Sequence, residues 1–263
     1  MRMYEPSVRE QAVQLLRSGV GTAETARRLG APRGTVSWWK HQDLAKHGQL
    51  PGRKQSTCMH CFGDDLNRSA YSYLLGLYLG DGHISHPAQH RIPSLFITCD
   101  DKWPGVMNSV ESAVRQVFPT LKPCRVRRPG CHNVKVYSKH LTCYFPQHGP
   151  GKKHERTIAL QPWQQEIVDA HPWEFLRGLI HSDGCRITNW TTRKVGGVEK
   201  RYEYPRYFFT NTSTDIVRLL TDTLDAVGVQ WKASTPRPTG QINVSIARKA
   251  CVALMDAHID PKH

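Results

Sequence analysis

Hydrophobic and polar positions in the first 45 residues predict three short helices. A first helix is expected between residues 7 and 18, where the apolar positions at helical spacing are Val8, Ala12, Leu15 and Leu16. A second helix, TAETARRL, follows two glycines, and a third begins near Arg33. In the third helix the inward positions are Val36 and Trp39, and the outward positions are Arg33, Thr35, Ser37, Trp38 and Lys40.

From residue 69 onward the pattern repeats itself. The decapeptide YLLGLYLGDG, which contains Asp81, matches FLRGLIHSDG, which contains Asp183, 102 residues later. FIT at 96–98 corresponds to FFT at 208–210, and the Asn-Val pair at 133–134 to the pair at 243–244. Each half therefore predicts helix, two strands, helix, two strands, helix, and extra residues near 191–204 predict a longer, basic hairpin in the second half.

The elements expected in each half can be placed on the sequence. The first half predicts a helix at 106–117 and strands near 83–85, 95–99, 124–128 and 133–137. The second predicts a helix at 214–227 and strands near 186–191, 204–211, 230–235 and 241–246. The halves are then 69–148 and 159–263, joined by a mobile, basic connector at 149–158 that is rich in glycine.

Charge and composition narrow the class of partner. The 36 Lys and Arg residues outnumber the 22 Asp and Glu residues, which gives a net charge of +14 and a pI near 9.6. That excess favours a nucleic acid as partner, because each neutralised phosphate releases a counterion. No apolar run reaches the length of a membrane span, and the first residues lack the apolar centre of a secretion signal. These features predict a soluble, cytoplasmic protein without a membrane partner.

The N-terminal helices suggest a DNA-binding unit. The spacing of Ala26, Gly30, Val36 and Trp39 resembles the helix-turn-helix of repressors and transposases. In such proteins the third helix lies in the major groove, which implies DNA contacts from Arg33, Thr35, Ser37 and Lys40. The alternative is a three-helix packing unit that binds no DNA. We predict a helix-turn-helix domain over residues 1–45.

The next segment, 46–68, is rich in Gly, Pro, Ser and charged residues and predicts a linker. It contains Cys58 and Cys61, a CxxC spacing that supplies two ligands of a tetrahedral zinc site. No second CxxC follows. A zinc knuckle and a pair of unliganded thiols are therefore both open.

The repeated decapeptide resembles the LAGLIDADG motif of homing endonucleases, and the duplicated order of elements resembles the single-chain members of that family. The resemblance covers residues 69–263, about three quarters of the chain. It implies an α+β fold with a pseudo-twofold axis and a duplicated αββαββα order, in a monomer. It also implies site-specific hydrolysis of double-stranded DNA with a divalent metal. Two other roles stay open: a transcriptional regulator that has kept the fold and lost cleavage, and an RNA splicing cofactor.

The residue types of the motif suit such a site. Small residues recur four apart at Gly76 and Gly80 and at Gly178 and Ser182, which lets two helices approach closely. Asp81 and Asp183 would then meet at the axis, and the glycines that follow them, at 82 and 184, are expected as left-handed helix caps.

Two carboxylates brought together repel each other unless a cation neutralises them. Mg²⁺ or another hard divalent cation fits, with assistance from the backbone carbonyls of Gly80 and Ser182. The alternative for either Asp81 or Asp183 is an ordinary helix-terminal acid before glycine.

Other site residues follow from the resemblance. Relatives often carry a catalytic lysine on the strand before the last helix of a half. Lys135 matches that position, and Ser245 is its counterpart in the second half; the alternative for Lys135 is a phosphate-contacting or solvated lysine. The strands are expected to lie along the major groove, with DNA contacts from Arg125, Arg127, Lys232 and Arg237.

Overall fold

The computed structural model of the protein describes residues 4–49, 66–86, 92–234 and 240–263. The chain divides into two compact units, Met1–Ser56 and Thr57–His263. Within the described ranges no helix is long and apolar enough to cross a membrane.

The N-terminal unit contains three helices close to their predicted places: α1 (Pro6–Arg17), α2 (Thr22–Arg28) and α3 (Arg33–Lys46). Its small core contains the expected inward residues Ala12, Ala26, Val36 and Trp39. Arg17 of α1 donates two hydrogen bonds, of 3.0 and 2.8 Å, to the Asp43 carboxylate of α3. The arrangement of the helices is thus held by apolar packing and one bidentate ion pair.

The second unit contains the duplicated order predicted from the repeat. Its first half has α4 (Arg68–Asp81), β1 (Gly82–Ser85), β2 (Ser94–Asp100), α5 (Pro104–Val117), β3 (Cys124–Arg128), β4 (Cys131–Tyr137) and α6 (Leu141–Tyr144). After α7 (Pro162–Ala170), the second half has α8 (Pro172–Asp183), β5 (Gly184–Val195), β6 (Val198–Asn211), α9 (Thr214–Ala226), β7 (Lys232–Ala233), β8 (Ile242–Ile246) and α10 (Lys249–His258). The predicted α+β class is confirmed.

Two antiparallel sheets share one topology. The strand orders are β1-β2-β4-β3 and β5-β6-β8-β7. Thr98 pairs with Asn133 in the first sheet, and Thr210 pairs with Asn243 in the second. These four residues are the landmarks of the sequence repeat, so the repeat extends to the register of the strands. Each sheet packs one face on helices, and we call the other its open face.

The two motif helices, α4 and α8, pack at backbone contact. A methyl group built on Gly76 would lie 2.5 Å from the carbonyl oxygen of Phe175 and 3.0 Å from Cα of Gly178. A methyl group on Gly80 would overlap the Ser182 side chain. The predicted role of these small residues is confirmed, because any larger side chain would push the helices apart.

Gly82 and Gly184, which follow the two acids, are not the left-handed helix caps that the sequence predicts. Gly82 has φ −85° and Gly184 has φ −104°, so neither is in the left-handed region. Instead, a methyl group on Gly82 would lie 2.7 Å from the carbonyl oxygen of Tyr78. The glycine permits a close approach as the chain turns directly into β1, and the predicted left-handed caps were wrong.

Candidate functional site

The equivalent geometry of the two halves places Asp81 and Asp183 at the ends of the paired helices. Asp81 is the last residue of α4, and Asp183 is the last residue of α8. A methyl group on Gly80 would lie 3.1 Å from Oδ2 of Asp183, so this carboxylate lies beside the end of the opposite helix. The structure therefore brings the two acids together at the pseudo-twofold axis.

Their surroundings at the helix ends raise the pKa of both carboxylates. The pKa of Asp81 is raised to about 6, first because the carboxylate has lost surrounding water and second because the negative charge of Asp183 is close. Part of the Asp81 residue is still exposed. Burial also raises the pKa of Asp183, against the opposing effect of its hydrogen bond with Asn211. Both shifts have the direction expected for carboxylates withdrawn from water.

Two lysines that the sequence analysis missed lie beside these acids. Lys153 donates from Nζ to the carbonyl oxygens of Tyr78, Leu79 and Gly80, at 2.6, 2.9 and 2.7 Å, and so caps α4. Lys262 donates from Nζ to the carbonyl oxygen of Ser182, at 2.9 Å, near the end of α8. A cation at a helix C-terminus is favoured by the helix dipole.

Both lysines are charge partners of the two carboxylates. Burial lowers the pKa of Lys153 to about 8, and the charges of Asp183 and Asp81 oppose that effect. Burial lowers the pKa of Lys262 as well, again against Asp81 and Asp183. Two cations and two anions thus form one compact cluster at the axis.

The repeat itself contains a signal for these lysines. A Lys-His pair begins at Lys153, 20 residues after Asn133, and another begins at Lys262, 19 residues after Asn243. Lys153 lies in the segment predicted to be a mobile connector. Instead, it caps α4, and Arg156 donates to the carbonyl oxygens of Gln147, Gly149 and Gly151. These hydrogen bonds connect the segment to α4 and to its own backbone.

The environment of the two acids is not identical. Asn211 donates from Nδ2 to Oδ2 of Asp183 at 2.7 Å. Because Gly82 pairs with Ile97 and Gly184 pairs with Phe209, the corresponding residue in the first half, two positions further on, is Cys99. Cys99 is a buried thiol, and its burial together with the nearby negative charge of Asp81 raises its pKa.

The carboxylates of Asp81 and Asp183 fit a hard divalent cation that is also coordinated by ligands from outside the protein. The described residues contain no group of three or more His, Cys, Asp and Glu side chains able to hold a metal. The carbonyl oxygens of Gly80 and Ser182 already accept from lysines, which leaves each with one free lone pair. Two carboxylates with water and phosphate oxygens would complete a shell typical of Mg²⁺.

Lys135 and Lys232 lie on the open faces of the sheets. Lys135 pairs with Phe96, and its Nζ lies 4.6 Å from the centre of that ring and 4.4 Å from that of Tyr137. Lys232 is exposed and pairs with Ser245, the counterpart of Lys135. The lysines whose charges interact with both Asp81 and Asp183 are instead Lys153 and Lys262.

Arg125 and Arg127 are turned away from the open face. Arg125 pairs with buried Val134 and donates to Glu111 of α5 at 3.1 and 2.7 Å. Arg127 follows two residues later on the same side of β3. Their predicted DNA contacts are therefore corrected: the structure places both on the helix-facing side. Arg237, Cys58 and Cys61 lie outside the described residues.

The start of α3 exposes the residues predicted to meet DNA. Arg33, Ser37 and Lys40 are exposed, and Thr35 is half-buried. Trp38 is exposed beside Arg9, while Trp39 is buried. The distribution agrees with the inward and outward positions in the sequence, and the DNA contact itself stays a prediction.

Together, two sheets, two paired helices and two acids at the axis define a duplicated LAGLIDADG architecture. The fold is similar to the crystal structure of I-DmoI in complex with DNA and Mn, with a TM-score of 0.51 and 14% identity over 73% of this chain and 97% of that chain. It is equally similar to a variant of I-DmoI in complex with its nicked target DNA and Mn, with a TM-score of 0.51 and 14% identity over 73% and 96% of the two chains.

A third similar structure is the N-terminal LAGLIDADG domain of DUF199/WhiA, with a TM-score of 0.45 and 11% identity over 73% of this chain and 83% of that chain. No protein-family model and no curated protein matches the sequence. The resemblance inferred from the repeated motif is confirmed for the fold, which this chain shares with I-DmoI.

Proposed function

We propose that the protein is a metal-dependent endonuclease that hydrolyses phosphodiester bonds of double-stranded DNA at specific sites. The observation that supports this proposal is the pairing of Asp81 and Asp183 at the axis, each with a lysine beside it. A protein that only binds DNA gains nothing from paired negative charge facing a polyanion. I-DmoI, which shares the fold, is described in complex with DNA and Mn.

Asp81 and Asp183 are the residues that would hold the metal. The chemistry that a divalent cation held by these carboxylates would supply is activation of water and stabilisation of the leaving oxygen of a phosphodiester. In its absence, the ammonium groups of Lys153 and Lys262 offset the repulsion between the carboxylates. The same positive charges stabilise the additional negative charge that develops on a phosphate during hydrolysis.

The open faces supply the DNA-binding surface. Lys135 and Lys232 lie on them, together with the polar pairs Thr98–Asn133 and Thr210–Asn243. Polar side chains that alternate along a strand suit hydrogen bonds to base edges in the major groove. The exposed start of α3 would add a second contact with DNA through Arg33.

The test is cleavage of a plasmid that carries the DNA flanking the protein's own gene, with Mg²⁺ and without it. Asp81→Asn and Asp183→Asn should each abolish linearisation and leave DNA binding unchanged or tighter, because each removes one negative charge. Asp222→Asn removes the same charge from an exposed position on α9 and should cleave like the wild type. If the wild-type protein binds tightly but neither nicks nor linearises, the regulator interpretation replaces this one.

A further inference from the structure

The second motif helix has a buried histidine where the first has a leucine. His181 lies on α8, two residues before Asp183, and is 6% exposed. The equivalent residue of α4, two before Asp81, is Leu79, which is also buried. An apolar side chain therefore suits this position of the repeat. A polar ring is costly to bury unless its nitrogens are hydrogen-bonded, so the imidazole needs an explanation beyond packing.

Both ring nitrogens of His181 have a partner. Nε2 lies 2.8 Å from the carbonyl oxygen of Asp260, and Nδ1 lies 2.9 Å from the hydroxyl of Tyr73. A carbonyl oxygen can only accept, so Nε2 carries the proton and Nδ1 accepts from the Tyr73 hydroxyl. Burial lowers the pKa of His181, which agrees with a neutral ring. The two contacts thus fix one tautomer and one orientation of the imidazole.

The hydroxyl donor is itself held in place. Tyr73 is a buried residue of α4, and its ring packs edge-on against the imidazole of His181, with ring centres 5.7 Å apart. The guanidinium of Arg177 lies 3.9 Å from the centre of the Tyr73 ring, and Glu174 accepts a hydrogen bond from that guanidinium. The imidazole on α8 is therefore oriented by a residue of the other half.

The acceptor of the His181 hydrogen bond lies in the segment that carries Lys262. This segment, residues 259–262, follows α10, and its residue Asp260 is exposed. Lys262 donates to the carbonyl oxygen of Ser182, and its charge interacts with both acids. Because Lys262 is only two residues from Asp260, a hydrogen bond to the Asp260 backbone restricts where the ammonium group can lie.

The two lysines at the axis are held in different ways. Lys153 donates to three carbonyl oxygens at the end of α4, whereas Lys262 donates to one at the end of α8 among the described residues. Beyond Lys262, the amide of Gly105 donates to the backbone oxygen of His263 at 2.6 Å. The segment is therefore fixed on both sides of Lys262, by His181 before it and by Gly105 after it.

We propose that His181 is a positioning residue for hydrolysis, which holds Lys262 beside the two acids through the backbone of Asp260. This proposal rests on the proposed function, because it assigns a role within the same site. Displacement of a reacting group by ~1 Å can slow a reaction by about 10² fold, so a small shift of this segment matters. In the first half the three hydrogen bonds of Lys153 perform the same task, and Leu79 is sufficient there.

Two substitutions of His181 separate positioning from packing. His181→Gln keeps an N–H donor for the carbonyl oxygen of Asp260, and His181→Leu supplies the residue found at the equivalent position of α4. Positioning predicts that single-turnover cleavage in Mg²⁺ is about 10 to 10² fold slower in His181→Leu, with a smaller loss in His181→Gln and unchanged DNA affinity in both. Packing predicts the reverse order, because leucine is the better apolar filler. Cleavage by His181→Leu as fast as by His181→Gln, or faster, would overturn the proposal.

A double-mutant cycle tests whether His181 acts through Lys262. In a protein that already carries Lys262→Met, His181→Leu should slow cleavage no further, whereas effects that multiply would contradict the proposal. Thr223→Val is the control, because it removes the hydrogen bond of another buried side chain, on α9, and should cleave like the wild type. If His181→Leu does not fold, Tyr73→Phe takes its place in the cycle, since it removes only the hydroxyl that donates to Nδ1.

The same cycle measured by urea denaturation requires no cleavage. Lys262 offsets the repulsion between the acids only while it is held beside them. Lys262→Met should therefore lower the free energy of unfolding less in the His181→Leu background than in the wild type, and equal losses would overturn the proposal. Failure of the proposed function would look different, because the wild type would not cleave in Mg²⁺ while the unfolding measurements would still show the coupling.

Discussion

Asn211 donates a 2.7 Å hydrogen bond to Asp183, and this contact distinguishes the two halves of the site. The corresponding residue beside Asp81 is Cys99, whose thiol donates to the carbonyl oxygen of Ile97 instead. The amide fixes one carboxylate oxygen of Asp183 and helps to keep it ionised. The thiol gives Asp81 no such support, so the two acids occupy equivalent positions with unequal freedom.

Loss of this amide should affect one half of the site. In Asn211→Ala, Asp183 keeps its charge but loses its orienting donor, so we expect slower plasmid linearisation with accumulation of nicked circles. Cleavage rates at saturating protein separate this effect from DNA affinity, which should not change. Asn211→Gln, which retains the amide, should restore part of the rate. Identical time courses for Asn211→Ala and wild type would show that the hydrogen bond does not contribute.

The lysines beside the acids provide a second prediction. Lys153→Met and Lys262→Met each remove a cation that interacts with both carboxylates, so each should slow cleavage by ~10² to 10³ fold, the size of one lost electrostatic contribution to the transition state. Single-turnover rates in Mg²⁺ measure this effect. Melting temperatures should be recorded alongside, because Lys153 also caps α4.

The comparison variant is Lys135→Met. The resemblance to the family assigns the catalytic lysine to this position, whereas the structure places Lys135 on the open face over Phe96. We expect Lys135→Met to weaken DNA binding more than it slows the chemical step. A large loss of cleavage rate in Lys135→Met, with little loss in Lys153→Met and Lys262→Met, would show that Lys135 is the catalytic lysine.

Contact between the motif helices makes a prediction about stability. Gly76→Ala places a methyl group against the backbone of α8, which cannot move aside, and should lower the free energy of unfolding by about 1–3 kcal/mol. Urea denaturation measures the change. Gly149→Ala is the control, because the atom nearest to its methyl group would be Cδ of Arg156 at 3.5 Å. Equal stability of the two variants would show that the helices can separate without cost.

The N-terminal unit makes a fourth prediction. Arg33→Ala, at the start of α3, should weaken specific DNA binding by ~1 to 3 kcal/mol if this helix reads bases. Lys46→Ala, in the last turn of the same helix, removes the same charge and should have a smaller effect. Binding to a duplex selected with the wild-type protein from a random library, measured over a range of salt concentrations, gives both values. Unchanged affinity and salt slope in Arg33→Ala would favour a packing unit that does not read DNA.

Much of the fold could be predicted because the sequence contains the same pattern of elements twice. The repeat of Asp81 at Asp183, and of Asn133 at Asn243, defined the order of elements and the close helices without any structural information. Hydrophobic spacing was sufficient to find the buried side of α3. Its inward residues Val36 and Trp39 are both buried.

Positions that depend on tertiary contacts were less predictable. Alternation in β3 was expected, but the face that carries Arg125 depends on its pairing with Val134, and a shift of one residue reverses every side chain. Lys153 lies among glycines and charged residues, a composition typical of an exposed loop. Only the folded chain places its ammonium group at the end of α4.

Each motif helix is capped by a lysine from the segment that follows its own half of the repeat: α4 by Lys153, and α8 by Lys262. The unit that was duplicated therefore extends from the motif helix to this lysine, and it includes the segment between the halves. A chain divided near residue 159 would keep each acid with its lysine, so the two fragments could assemble into a complete site.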